Sequence, residues 1–146
     1  MYLTPFQESY FPNLHRSDYR LTSPETDEYN CFAWAAHIND NRWDPTNNWY
    51  WPIGVPRSVT LPSAQAAYES LGFELCTSDA LENGYEKIAI YVKDDGQLAH
   101  AARQLANGSW TSKLGDWPDI EHATLTALEG SYYGHVEAIL RRHSDG

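Results

Sequence analysis

The sequence KIAIYVKDDGQLAHAARQLANGSWTSKLG, residues 87–115, contains three strand patterns separated by two turn patterns. Ile88 and Ile90 alternate with neighbours of other types, and a period of two is that of side chains along a β-strand. The turn sequences DDGQ and ANGS each contain a glycine and interrupt the alternation. The stretch therefore predicts an antiparallel meander. Its three strands are predicted at 87–93, 98–105 and 110–115.

Helix patterns lie on both sides of this meander. Asn30 is a suitable N-cap for residues 31–39, where apolar side chains recur three and four residues apart. Residues 61–72 begin with Leu-Pro and end with Gly, which is typical of a helix with a defined start and stop. After the meander, a third helix is predicted at 118–129, and a last strand at 134–142.

The order of these elements predicts the fold class. Helices and an antiparallel meander that are segregated along the chain indicate an α+β protein, with the helices packed on one face of the sheet. At 146 residues the chain fits one domain. Residues 27–142 form its predicted core, and residues 1–26, rich in Pro, Tyr and polar residues, form an irregular N-terminal arm. Residues 42–57 are predicted to be an aromatic, proline-broken loop.

Composition and charge exclude several classes of function. Twenty acidic residues against ten basic ones give a formal net charge of −10, which repels a phosphate backbone, so we expect no nucleic-acid partner. No apolar run approaches the ~20 residues of a membrane span, and the first residues lack the pattern of a signal peptide. With two cysteines we expect free thiols and a cytoplasmic location. The spacings of zinc ligands are missing, so we expect no metal and no cofactor.

The stretch DEYNCFAWAAHIND, residues 27–40, places Cys31 at the start of a predicted helix. The N–H groups at that position favour a thiolate. A histidine that acts as a base is the other common way to activate a cysteine. His100, in the middle of a predicted strand of small residues, is the best candidate among six histidines. A free cysteine is also among the most frequently buried residue types, so a structural role is the alternative.

The motifs YNCFAWA and HAARQLANGSWTSK together resemble the papain-like thiol peptidases and amidases of the NlpC superfamily, over residues 29–115. The resemblance implies a papain-like core, with Cys31 as nucleophile and His100 as general base. The third polar position falls on Ser112, where the family usually has His, Asn, Asp or Gln.

Hairpin register determines whether Ser112 faces His100. With a three-residue loop at 106–108, Ala102 opposes Ser112, which places the hydroxyl diagonal to His100 on the same face. With a two-residue Asn-Gly loop, Ser112 turns to the other face and Lys113 shares the face of His100. Both loops are common, and the sequence leaves the choice open.

The resemblance implies thiol acyl transfer on a peptide or amide bond, either hydrolysis or deamidation. Candidate substrate-binding residues are Asn30, Trp49, Trp51 and Lys113, since the segment after the nucleophile helix can line a papain-like groove. The alternative is an inactive protein on the same core that binds a protein partner, as an inhibitor or immunity-type protein does. Its support is the unusual third residue and the strong acidity.

Overall fold

A computed structural model describes residues 2–46 and 49–144; Met1, Asn47, Asn48, Asp145 and Gly146 lie outside the described residues, and two of them fall within the predicted loop 42–57. Within the described residues, seven strands form one antiparallel sheet with the spatial order β1-β6-β5-β4-β3-β7-β2. The strands are β1 Tyr19–Ser23, β2 Glu74–Cys76, β3 Tyr85–Val92, β4 Leu98–Gln104, β5 Trp110–Lys113, β6 Asp119–His122 and β7 His135–His143.

Two of the helices lie where the sequence predicted them. These are α2, Cys31–Ala35, and α3, Leu61–Glu69; α1, Pro5–Glu8, precedes both. Helix α2 is shorter than predicted, because the chain leaves the helical conformation and reaches the left-handed region at His37, where φ is 65°. The α+β class with an antiparallel sheet is confirmed.

The helix predicted at 118–129 is wrong. These residues contain strand β6 and a short 3-10 turn, Leu125–Leu128. Strand β6 pairs with β5 on one side and with β1 on the other, so its backbone hydrogen bonds go to both neighbours. Strand β1 is distant from β6 in sequence, and the pairing with β5 depends on the turn before β6. A local apolar period carries no information about either pairing.

The N-terminal segment is not an irregular surface arm. Strand β1 forms one edge of the sheet, with Tyr19 opposite His122. Before it, Leu3, Phe11 and Leu14 are buried against the sheet. The prediction failed because β1 is a short strand that takes its conformation from pairing with β6, far later in the chain.

The sheet buries apolar side chains on both faces. On one face, Ile88 and Ile90 of β3 pack with α2, α3 and the aromatic loop that follows α2. On the other face, Ala89 and Tyr91 of the same strand pack with the N-terminal segment and the 3-10 turn Leu125–Leu128. Helices α2 and α3 thus share one face, as predicted, while short irregular segments cover the second.

Strands β4 and β5 of the meander are paired along part of their length, and their separation beyond it positions helix α2. The Leu105 N–H donates to Ser109 O at 2.7 Å, which is the register of the three-residue loop. Among the described residues, bridge pairs between β4 and β5 are confined to Arg103–Thr111 and Gln104–Trp110, so the strands separate towards the start of β4. Helix α2 contacts both strands.

No helix in the described part of the chain has the length and apolar character needed to cross a membrane.

Candidate active site

Cys31 is the first residue of α2 and is 8% exposed. Burial raises the pKa of its thiol to about 12, because the anion loses solvation. The backbone N–H groups of Ala101, Phe32 and Cys31 itself, which face the sulfur, act in the opposite direction on this pKa but are weaker. At neutral pH the group is therefore a thiol and not a thiolate.

Ala101, whose N–H lowers the pKa of the Cys31 thiol, lies on the part of β4 for which the described residues form no bridge pair with β5. Ala101 pairs with Ile90 of β3 on its other side, and no bridge to β5 is formed beyond Arg103. Ala101 follows His100 directly in the chain, but within residues 2–46 and 49–144 no hydrogen bond joins the Cys31 sulfur to His100 Nδ1.

His100 is fully buried, and its two ring nitrogens have different surroundings. Nε2 lies 2.9 Å from Ser112 Oγ, whereas Nδ1 has no hydrogen-bond partner in the part of the chain that the structure describes. The ring stacks on Tyr133, with centroids 4.2 Å apart and planes 6° from parallel. Burial, with a smaller effect from His122, holds the pKa of His100 well below its usual value, so the imidazole is neutral.

Ser112 connects His100 to a second buried histidine. Its Oγ lies 2.8 Å from His122 Nε2, and His122 Nδ1 lies 2.9 Å from the Thr124 carbonyl oxygen. Burial is the main cause that lowers the pKa of His122, to about 4. The result is a continuous row of hydrogen bonds from His100 to the backbone at Thr124.

Sequence reasoning missed His122. It falls within the helix predicted at 118–129, whereas in the structure it lies on β6 and is fully buried. The period of two in Asp-Ile-Glu-His, which puts Ile120 and His122 on one face, was the available signal.

The register found in the structure turns Lys113 away from His100. Its side chain is buried on the face that carries α2, where Nζ donates to the carbonyl oxygens of Gly115 at 2.7 Å and Trp117 at 2.5 Å. The ammonium also lies 5.3 Å from the ring centroid of Tyr29. These contacts occupy the group within the protein, and the substrate-binding role proposed for it stays a prediction.

Asn30 holds the start of α2 to the loop that follows the helix. Its Oδ1 accepts hydrogen bonds from the N–H groups of Ala33, at 3.2 Å, and Trp43, at 2.9 Å. Its Nδ2 donates to the Trp43 carbonyl oxygen at 2.7 Å. The residue is buried and acts as both an N-cap and a clamp. Whether it also contacts a substrate stays a prediction.

The two tryptophans predicted to bind substrate have different positions. Trp51 is buried, and its indole N–H donates to Pro56 O at 3.0 Å. Trp49 is 45% exposed, and the Arg42 guanidinium lies 5.3 Å from its ring centroid. Only Trp49 thus presents a large surface, and neither substrate contact is tested.

Across residues 2–46 and 49–144, the structure contains no group of three or more His, Cys, Asp and Glu side chains that could hold a metal ion.

Comparison with known families places the chain in one of them. The model of a family described as a domain of unknown function, DUF7689, matches residues 20–141, from β1 to β7. No curated protein and no solved structure matches the chain.

Proposed function

The chain belongs to the DUF7689 family, and we propose that this member is a thiol-dependent hydrolase or acyl transferase that acts on an amide or peptide bond. Cys31 is the proposed nucleophile, His100 the general base, and Ser112 the residue that orients His100. The observation that carries the proposal is the state of His100. Ser112 holds its Nε2, while its buried Nδ1 has no hydrogen-bond partner among the described residues and is free to accept a proton.

The proposed chemistry starts from a neutral pair. In the described part of the chain no hydrogen bond joins the Cys31 sulfur to His100 Nδ1, so the proposed reaction requires the thiol to turn towards that nitrogen as the substrate carbonyl carbon approaches. The S–H proton then passes to Nδ1 and the sulfur forms a bond to carbon. The backbone N–H groups that face the sulfur are the candidates for stabilising the oxyanion. When the tetrahedral intermediate collapses, the proton on Nδ1 passes to the leaving amine and a thioester remains. Water, deprotonated by the same nitrogen, then releases the acid and restores the thiol.

That the Cys31 thiol and the His100 imidazole are both uncharged before a substrate binds has a physical cost and a physical reason. With the thiol 8% exposed, a substrate carbonyl reaches the sulfur only after covering side chains rotate away. Burial raises the thiol pKa and lowers the imidazole pKa, and both effects favour the uncharged pair. The thiol is thus protected from oxidants and metals until a substrate opens the site.

We also propose the core arrangement and the location. A helix that starts with the nucleophile and packs on two adjacent strands, which carry the base and its orienting group, supports a papain-like core. Both cysteines are free thiols, which fits a reducing compartment such as the cytoplasm. The expected partner is a peptide or amide substrate.

One observation favours a second function, that of an inactive binding protein on the same scaffold. The loop after α2 exposes apolar side chains, among which Trp49 is 45%, Tyr50 44% and Ile53 98% exposed. An exposed apolar loop on an acidic protein is typical of a docking surface for another protein. In this case Cys31 and His100 are structural core residues.

Acyl transfer from p-nitrophenyl acetate distinguishes the two functions. The Cys76→Ala variant is incubated with the ester at pH 7.5, and acetylation of Cys31 is followed by mass spectrometry of its peptide. We expect Cys31 to be acetylated, and His100→Ala to slow the reaction by about 100-fold, the size of a general-base contribution. His135→Ala, which removes an exposed histidine, is the matched control and leaves the rate unchanged.

The proposal fails if Cys31 is not acetylated, or if His100→Ala reacts at the same rate. Circular dichroism and urea unfolding establish that each variant is folded before its rate is compared. A His100→Gln variant provides a second measurement if the alanine variant does not fold.

A further inference from the structure

The two buried histidines and the serine between them form a row in which each hydrogen bond has a direction. The row starts at a group that only accepts, the Thr124 carbonyl oxygen, 2.9 Å from His122 Nδ1. Nδ1 of His122 must therefore carry the proton, because a lone pair facing a carbonyl oxygen would be repelled. In a neutral imidazole, Nε2 of His122 is then the acceptor.

The protonation of His122 determines the direction in which the Ser112 hydroxyl donates. Since His122 Nε2 accepts, the Ser112 O–H donates to it across 2.8 Å. The Ser112 hydroxyl has one proton, so its lone pairs face His100 Nε2 at 2.9 Å, and that nitrogen must donate. His100 is thus the Nε2–H tautomer, and its Nδ1 carries a lone pair.

We infer that His122 is a positioning residue, which selects the tautomer of His100 by fixing the direction of the Ser112 hydroxyl. Three observations combine in this inference: the His122 to Thr124 contact, the shared Ser112 hydroxyl and the unpartnered Nδ1 of His100. The opposite tautomer would place an N–H in a buried position without an acceptor, which is unfavourable because the buried donor would have given up its hydrogen bond to water.

The assignment itself needs only the hydrogen-bond geometry, but its consequence for the reaction rests on the proposed function. With the lone pair on Nδ1, His100 can take a proton from Cys31. With the proton on Nδ1, it cannot. His122 touches neither the sulfur nor a substrate in this role, since it acts through Ser112 and the ring of His100.

Nitrogen NMR of the full chain with labelled histidine tests the inference. The ring nitrogens of His100 and His122 are assigned by loss of signals in His100→Gln and His122→Gln, and the tautomers are read at pH 7.5. We expect Nε2–H at His100 and Nδ1–H at His122. In His122→Phe the hydroxyl of Ser112 loses its acceptor, and we expect a second tautomer of His100 to appear.

The His122→Gln variant is the matched rescue. The two polar atoms of an amide can replace Nδ1 and Nε2, and the Thr124 carbonyl forces the NH₂ group towards itself and the oxygen towards Ser112. We expect His100 to return to a single Nε2–H tautomer in this variant. Cys31 acetylation falls at least 10-fold in His122→Phe and recovers in His122→Gln.

A His100 that is Nδ1–H in the unmodified protein overturns the inference, and so does a His122→Phe protein that folds but leaves the tautomer of His100 unchanged. The tautomers are measured without a substrate. Correct tautomers with no Cys31 acetylation would therefore reject the proposed function alone, and acetylation with the wrong tautomers would reject the role of His122 alone.

Discussion

The Tyr133 ring covers one face of the His100 imidazole, 4.2 Å away and within 6° of parallel. Both side chains are buried, so the contact excludes water from the imidazole and fixes the plane in which its two nitrogens lie. The direction of Nδ1, on which the proposed chemistry depends, is therefore set by ring packing as well as by Ser112.

Replacing Tyr133 with leucine should lower the free energy of unfolding by about 1–3 kcal/mol, because a buried stacked ring is lost. Urea unfolding measures the change. Tyr133→Phe keeps the ring and is the control, with a loss under about 1 kcal/mol. Equal losses in the two variants would show that the phenol oxygen, and not the stacked ring, is what the site needs.

Asn30→Ala should destabilise the protein by about 2–4 kcal/mol. The variant loses the N-cap of α2 and leaves the N–H and C=O groups of Trp43 without their partners. With the clamp removed, we also expect faster alkylation of Cys31 by iodoacetamide in the Cys76→Ala background. The control is Asn41→Ala, which removes an exposed amide that accepts a hydrogen bond from the N–H of the next residue and should cost less than about 1 kcal/mol.

Gly134→Ala should cost more than about 3 kcal/mol. At this position φ is 75°, and an added Cβ would lie 2.0 Å from the Val92 carbonyl oxygen, so the turn that carries Tyr133 must shift. Gly96→Ala is matched in backbone conformation, with φ of 88°, but has open space around the added atom. It should cost only the strain of the left-handed conformation, about 1–2 kcal/mol. Thermal unfolding of the two variants measures the difference; similar costs would mean that the close contact with Val92 relaxes freely.

Stability should fall in mildly acidic solution. The pKa values of His100 and His122 are lowered by burial in the folded protein, the latter to about 4, so below about pH 6.5 the unfolded chain binds more protons than the folded one. Their contribution is present above pH 6.5 and is lost as the pH falls towards 4, at about 1.4 kcal/mol per pH unit for each histidine. Burial of part of its ring also lowers the pKa of His37, an exposed residue, so unfolding is measured between pH 6.5 and 4.5 in a His37→Gln background.

The His122→Gln change should reduce the slope of the free energy of unfolding against pH by the contribution of one histidine, whatever its effect on stability at pH 7. A carboxylate cannot produce the same result in this range. Glu121, whose pKa is lowered to about 2 by its hydrogen bonds to Ser109 and Asn107, loses its contribution only below the usual glutamate pKa. A slope that His122→Gln leaves unchanged would contradict a buried neutral His122.

The parts of the fold that the sequence predicted are those with local signals. Asn30 caps α2, and the turn residues between β3, β4 and β5 divide the meander where the structure divides it. Strands β1, β2 and β6 were missed, because each is short and takes its conformation from pairing with a distant segment.

The candidate site shows the same difference between features that have a local signal in the sequence and features that depend on pairing with a distant segment. Cys31 and His100 were selected from residue type and order, and Ser112 from the resemblance to the papain-like family. The contact between Ser112 and His100 depends on a one-residue difference in loop length. The contact with His122 depends on β6, which the local pattern misassigned. Neither relationship is encoded within a window of neighbouring residues.

The edge strand β1 also imposes an order of events during synthesis. Arg20 of β1 bonds Glu121 of β6, which lies 101 residues later in the chain. At ~5–20 residues per second, a ribosome needs roughly 5–20 s to produce the partner after β1 is made. Ala101 is likewise synthesised after Cys31. The Cys31 sulfur therefore remains open to solvent while the chain is being translated. The nascent chain is therefore the form in which this thiol is most easily oxidised, and completed folding is what ends that exposure.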